Sequence, residues 1–148
     1  MDDLNDAESL LDDFQRQAWD PAPAAFFHKR GLIHTTVRRF GLGYTGEWGN
    51  TPSGDYRDCL VIPYDDGLGE LRMLKYRALH ESKNKYLSGG KHHLFAVRAL
   101  DNDTVVVAEG EIDTMILWQI GLKAVGIPGA QSFKPQWRHL FRPPHVRR

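Results

Sequence analysis

Cysteine is nearly missing from this chain: Cys59 stands alone among 148 residues. A single thiol closes no internal disulfide and cannot build a zinc ribbon, so no zinc is expected. Long apolar runs are missing too. No stretch approaches the roughly 18 residues of a membrane span, and no membrane partner is expected. The amino terminus is acidic and lacks the basic, apolar and small-residue succession of an export signal. A cytoplasmic location is the expectation. Net charge is also lacking, at +0, but this balance conceals an asymmetry. Residues 1–20 hold seven acids and one base, which leaves 18 bases against 12 acids on the rest, a net of +6. A modestly basic body with an acidic arm is compatible with binding nucleic acid and does not demand it.

What is present is enough for one domain, or one domain with a small appended piece. Residues 4–19 read as one helix, with Leu4, Leu11, Phe14 and Ala18 forming a loose apolar stripe, until Asp20-Pro21-Ala22-Pro23 breaks it. Packing on the body is the ordinary reading of such a stripe, and an acidic decoy for a basic groove is the sharper alternative. Residues 24–32 read as a short helix stopped by Gly31, and Thr35 or Thr36 caps a second that carries Val37 and Phe40 inward. Residues 45–58, with Gly46, Gly49, Pro52 and Gly54, read as a surface loop holding Trp48.

Residues 60–64 and 71–77 form a predicted hairpin turned by Asp65-Asp66-Gly67. Partial alternation in the second strand puts Lys75 and Arg77 on one face. With Arg72, Lys83, Lys85 and Lys91, and with Tyr76 and Tyr86 interleaved, these residues make the best basic and aromatic patch in the chain. Such a patch suits phosphate contacts with stacking beside them, and composition leaves open an ordinary charged edge strand. His92 and His93 are adjacent, a spacing that rarely aims two rings at one metal.

The most informative stretch is residues 104–116. Thr104, Val105, Val106 and Val107 read as a buried strand, Gly110 as a tight turn, and Ile112, Met115, Ile116 and Ile120 as one face of a helix. Glu109, Glu111 and Asp113 meet at this junction. The carboxyl end of such a strand is where open α/β sheets place ligands, and clustered carboxylates there are costly unless paired, solvated or metal-bound. Residues 123–127 read as a second, parallel strand, and Ser132 caps a last helix around 135–141.

Read together, these segments resemble a known family. Glu109-Gly110-Glu111-Ile112-Asp113 after an apolar strand resembles the first motif of the Toprim fold of DnaG-type primases, topoisomerases and some nucleases. Phe27, Arg30-Gly31-Leu32, Thr36, Phe40 and Leu42-Gly43-Tyr44 resemble the helical opening of the DnaG-type catalytic core. Arg77 with Lys85-Tyr86-Leu87-Ser88 and Leu94-Phe95 resembles the basic segment just before Toprim. Residues 126–130 match the family's second strand and small-residue turn, and Glu-Gly-Glu-Ile-Asp is most similar to the form in phage primases. The match runs over residues 24–141.

The resemblance implies an α+β chain: a small primase subdomain of helices and a β-hairpin, then an incomplete α/β Toprim unit of parallel βαβ form. The expected division is an acidic helical arm and linker at 1–23, the amino-terminal subdomain of the core at 24–100, and the first half of Toprim at 101–148. The implied activity is synthesis of RNA primers on single-stranded DNA from nucleoside triphosphates, with Mg²⁺ or Mn²⁺ held through hard oxygen ligands. Glu109 matches the metal-site glutamate and Asp113 its supporting acid, with Glu111 third. Arg77 and Lys85 match residues that hold template or nucleotide phosphates, and Lys75, Lys83, Lys91 and Tyr86 extend that patch. The family's zinc module and its Asp-x-Asp metal motif are not found in the sequence. The expectation is therefore the amino-terminal part of a split primase core, completed by a second chain or segment. A replicative helicase is a further partner, and the host cytoplasm the location if a phage encodes it. A non-catalytic binding module derived from a primase, or a Toprim nuclease or topoisomerase fragment, are the competing readings.

Overall fold

The computed structural model describes residues 3–47, 50–51, 54–80, 84–88, 93–128 and 133–141. The chain divides into two compact units, one of residues 1–64 and 71–91 and the other of residues 65–70 and 92–148.

In the first unit the acidic arm is two helices, α1 (Asp3–Glu8) and α2 (Leu11–Gln17), in place of the single helix expected. The break falls at Ser9, whose hydroxyl donates to the Asp6 carbonyl at 2.6 Å and so competes with the helical ladder. The apolar stripe nevertheless does what its spacing suggests. Ala7 and Phe14 are buried with Cys59, Val61, Leu74 and Tyr76, and Leu4 and Leu11 pack alongside. The prolines after Asp20 start a helix where a linker was expected. In α3 (Pro21–Arg30), Pro21 takes the first helical position, where no N–H is needed. α4 (His34–Arg39) starts at His34 without a side-chain cap, so neither Thr35 nor Thr36 serves as one, and Thr36 is buried instead.

Four strands form the sheet of this unit in the order β1 (Gly43–Tyr44), β4 (Cys59–Asp65), β5 (Leu71–Ala78) and β6 (Asn84–Ser88). Two short strands, β2 (Asn50–Thr51) and β3 (Gly54–Asp55), pair as a separate hairpin within the span expected to be loop. Trp48 lies outside the described residues. The β4–β5 turn is as expected: Asp65 and Asp66 carboxylates accept from the Gly67 and Leu68 amides at 2.6 and 2.8 Å. The partial alternation expected of β5 is not observed. Met73, Leu74, Lys75 and Tyr76 are all buried in succession, as are Leu60, Val61 and Ile62 in β4, so both faces of these strands are covered. Lys75 therefore has only 5% of its surface exposed, which removes it from the surface patch expected beside Arg77.

In the second unit the strand begins and ends two residues later than expected. β7 (Val106–Glu109) runs parallel to β8 (Ala124–Ile127), in register Val106↔Ala124 through Glu109↔Ile127. β7 is not fully buried, since Val107 is 51% exposed. Between them α5 (Glu111–Gln119) packs on both strands through Ile112, Met115 and Trp118. Trp118 Nε1 donates to the Ala124 carbonyl at 2.7 Å, tying helix to strand. Ile120, expected on the apolar face, follows the last helical residue and is 67% exposed. Residues Pro135–Phe141 form a 3₁₀ helix with Trp137 buried. The expected cap Ser132 lies outside the described residues. Among the described residues no helix is long and apolar enough to cross a membrane.

Candidate functional site

The acidic junction is built by the strand-to-helix turn. Gly110 sits between β7 and α5 with φ of 77°, a backbone region that a side chain would strain. Its amide donates to the Ile127 carbonyl at 2.8 Å, extending the parallel ladder, and its carbonyl accepts from the Thr114 hydroxyl at 2.7 Å. The turn is thus pinned to β8 and to the first turn of α5 together. β8 contributes closely as well. A Cβ on Gly126 would lie 2.6 Å from Thr114 Oγ1, 3.1 Å from Phe95 Cβ and 3.3 Å from the Gly110 carbonyl. Phe95 and Gly126 exchange amide hydrogen bonds of 2.9 and 2.8 Å, which holds the segment before β7 against β8.

Three acids are carried on this turn, in different environments. Glu109 ends β7 and is exposed; Asp113, in the first turn of α5, is exposed as well. Glu111 has only 5% of its surface exposed. The positive end of the α5 dipole favours acids in this turn. No fully buried side-chain nitrogen or oxygen among the described residues lacks a hydrogen-bond partner. Two solvent-facing carboxylates at one strand end are hard oxygen donors of the kind a divalent cation takes. They do not complete a site: among the described residues no three His, Cys, Asp or Glu side chains are placed to hold a metal.

The basic positions lie in the first unit. Arg77 is half-buried on β5, its guanidinium carbon 5.7 Å from the Phe26 ring centroid. β6 was not foreseen as a strand, although Lys85 and Tyr86 sit on it. Its pairing with β5 runs Tyr76↔Tyr86 and then Arg77↔Asn84, so Lys85 is the extra residue of a bulge opposite Arg77. Lys83 and Lys91 lie outside the described residues. Arg30 of α3, which the sequence reading did not place in the patch, lies by the same Phe26 ring as Arg77, and Lys29 lines the same cavity. The Phe-x-x-x-Arg spacing of Phe26 and Arg30, which are four apart and so neighbours on a helix, was the available signal.

No family model matches the chain. Among curated proteins it is 37% identical over 94 residues to the Gene 57 protein of Mycobacterium phage D29, covering 58% of this chain and 62% of that one. It is 26% identical over 138 residues to a DNA primase of Clostridium acetobutylicum, covering 68% of this chain and 23% of the primase. Among solved structures it matches the DnaG primase catalytic domain bound to single-stranded DNA, with TM-score 0.71 and 20% identity over 95% of this chain and 57% of that one. The RNA polymerase domain of Mycobacterium tuberculosis DnaG in complex with double-stranded DNA matches with TM-score 0.72 and 15% identity, over 94% and 59%. The E. coli primase catalytic core gives 0.71 and 20%, over 93% and 58%. The chain therefore has the fold of the DnaG primase catalytic core and is homologous to the phage protein and to the clostridial primase. It spans under two thirds of each of these relatives.

Proposed function

We propose that this chain is the amino-terminal portion of a primase core that makes RNA primers on single-stranded DNA from nucleoside triphosphates. A second chain or segment would supply the Asp-x-Asp motif. In this reading residues 1–23 are an arm, 24–100 the amino-terminal subdomain, and 101–148 the first half of a Toprim domain. The observation that carries the reading is the β7–Gly110–α5 turn, with exposed Glu109 and Asp113, inside a chain whose fold matches primase cores nearly end to end.

Glu109 and Asp113 would hold Mg²⁺ or Mn²⁺, which neutralises triphosphate charge when bound. Among the described residues no three ligating side chains are grouped, and the reading calls on additional acids from the Asp-x-Asp motif. Glu111, being buried, would shape the turn more than touch an ion. Arg77 and Lys85 would hold phosphates of template or nucleotide, with Tyr86, Lys83 and Lys91 extending the patch. Lys75 is left with a structural part by its burial.

The test is primer synthesis. The chain, mixed with a polypeptide carrying an apolar strand followed by Asp-x-Asp, is incubated with single-stranded template, labelled nucleotides and Mn²⁺ or Mg²⁺. Short RNA products that vanish with Glu109→Ala are expected. The competing reading is a binding module without chemistry. No product in any mixture, together with DNA or helicase binding that Glu109→Ala leaves unchanged, would establish that module instead.

A further inference from the structure

β7 is an edge strand: among the described residues it pairs with β8 and with no other strand. In a parallel ladder successive residues turn their main-chain groups to opposite edges. The Val106 and Gly110 amides donate to the Lys123 and Ile127 carbonyls at 2.9 and 2.8 Å. Val107 and Glu109 lie out of step with these two and direct their N–H and C=O to the outer edge, where no described strand meets them. β8 follows the same rule with a different outcome. Gly126 faces away from β7, and Phe95 takes both its amide and its carbonyl at 2.8 and 2.9 Å. One edge of the pair is therefore engaged at Gly126, and the other is open among the described residues.

The open edge is also unguarded. Val106–Glu109 holds no lysine and no proline, the usual means of blunting an edge, and its one charge is at the carboxyl end. Val107 is 51% exposed although its register partner Val125 is buried. Outward main-chain groups beside an exposed β-branched side chain are what an added strand uses.

We propose that the partner supplying the remaining acids adds a strand, parallel, to the outer edge of β7. The inference rests on the primase reading for the existence of that partner and specifies where and in which direction it docks. Direction follows from the position of the acids. A parallel strand brings its carboxyl end level with Glu109, one strand spacing of about 4.8 Å away, so acids that follow it reach the Gly110 turn. An antiparallel strand would bring its amino end there instead. The fitting partner segment is a short β-branched run, because exposed Val107 and half-buried Val105 offer it apolar neighbours.

Amide hydrogen exchange on the isotope-labelled full chain tests this, alone and mixed with a polypeptide carrying an apolar strand followed by Asp-x-Asp. Alone, the Val106, Ala108 and Gly110 amides should be protected, and those of Val107 and Glu109 should exchange freely. The partner should slow Val107 and Glu109 by about tenfold or more, as one hydrogen bond gained at each would do. Val107→Pro removes an outward N–H and leaves the β8 ladder whole, so it should weaken association by about tenfold or more with the melting temperature of the chain alone nearly unchanged. Ala108→Pro, which removes an N–H facing β8, should lower that melting temperature. If Val107→Pro does not fold by circular dichroism, Val107→Lys carries the same expectation by charging the edge. RNA synthesis by a mixture in which both amides still exchange freely would overturn the docking and leave the primase reading standing. Protection at both amides with no RNA would support the docking and count against primer synthesis. Association unchanged by either Val107 variant in folded chains would overturn the proposal. So would protection of these amides that grows with concentration in the chain alone, which would assign the edge to a second copy. No association with any such polypeptide would overturn both.

Discussion

At Tyr44 one side chain ties the first unit's stability to pH. It is buried on β1, and its hydroxyl donates to Asp58 Oδ1. Burial, then that hydrogen bond and the Asp58 charge, hold the phenol's ionisation above its usual range. The folded chain therefore keeps a proton that the unfolded chain gives up near pH ~10. The resulting stability is fully present below that pH and is lost as pH rises past it. We expect the urea midpoint to fall between about pH 9 and about pH 11, and to fall less in Tyr44→Phe, which has no proton to lose. An equal fall in both would reject this coupling. Gly126 offers a second residue-level test. Its added Cβ would crowd Thr114 Oγ1 at 2.6 Å, so Gly126→Ala should destabilise by about 1–3 kcal/mol. Combining it with Thr114→Ala should recover part of that loss, because the crowded atom is gone. Strict additivity of the two in denaturant titrations would show that Thr114 is not the obstacle.

Elements were legible in proportion to how local their causes are. The Asp65-Asp66-Gly67 turn and the Gly110 turn were readable because carboxylates and a glycine fix the backbone within a few residues. β6 was missed because Asn84, Lys85 and Ser88 are poor strand formers, and its pairing with β5 is what makes it a strand. Lys75 was misplaced because alternation presumes a solvent face, whereas β5 is covered on both. One of those covers is α2, whose Phe14 meets Tyr76 edge to face with centroids 6.5 Å apart. Phe14→Ala should therefore cost about 3–5 kcal/mol, measurable by urea unfolding followed by circular dichroism. A cost below about 1 kcal/mol would mean that the arm adds little to the core.

For the whole molecule, the charge asymmetry invites the idea that the acidic arm masks a basic groove, but its packing suggests otherwise. Ala7 and Phe14 are buried with sheet residues, so removing residues 1–19 should lower the melting temperature without tightening DNA binding. Tighter binding at unchanged melting temperature would revive the decoy. The linear order of residues by itself determined the acidic strand-to-helix turn, the hairpin and the resemblance to primase cores, because short-range backbone chemistry and motif order need no third dimension. Tertiary structure alone decided which charges face solvent. It buried Lys75 and Glu111, left Glu109 and Asp113 open, and drew Arg30 to the ring that Arg77 shares. Burial and the meeting of α3 with β5 depend on how distant segments pack, which residue spacing along the chain does not encode.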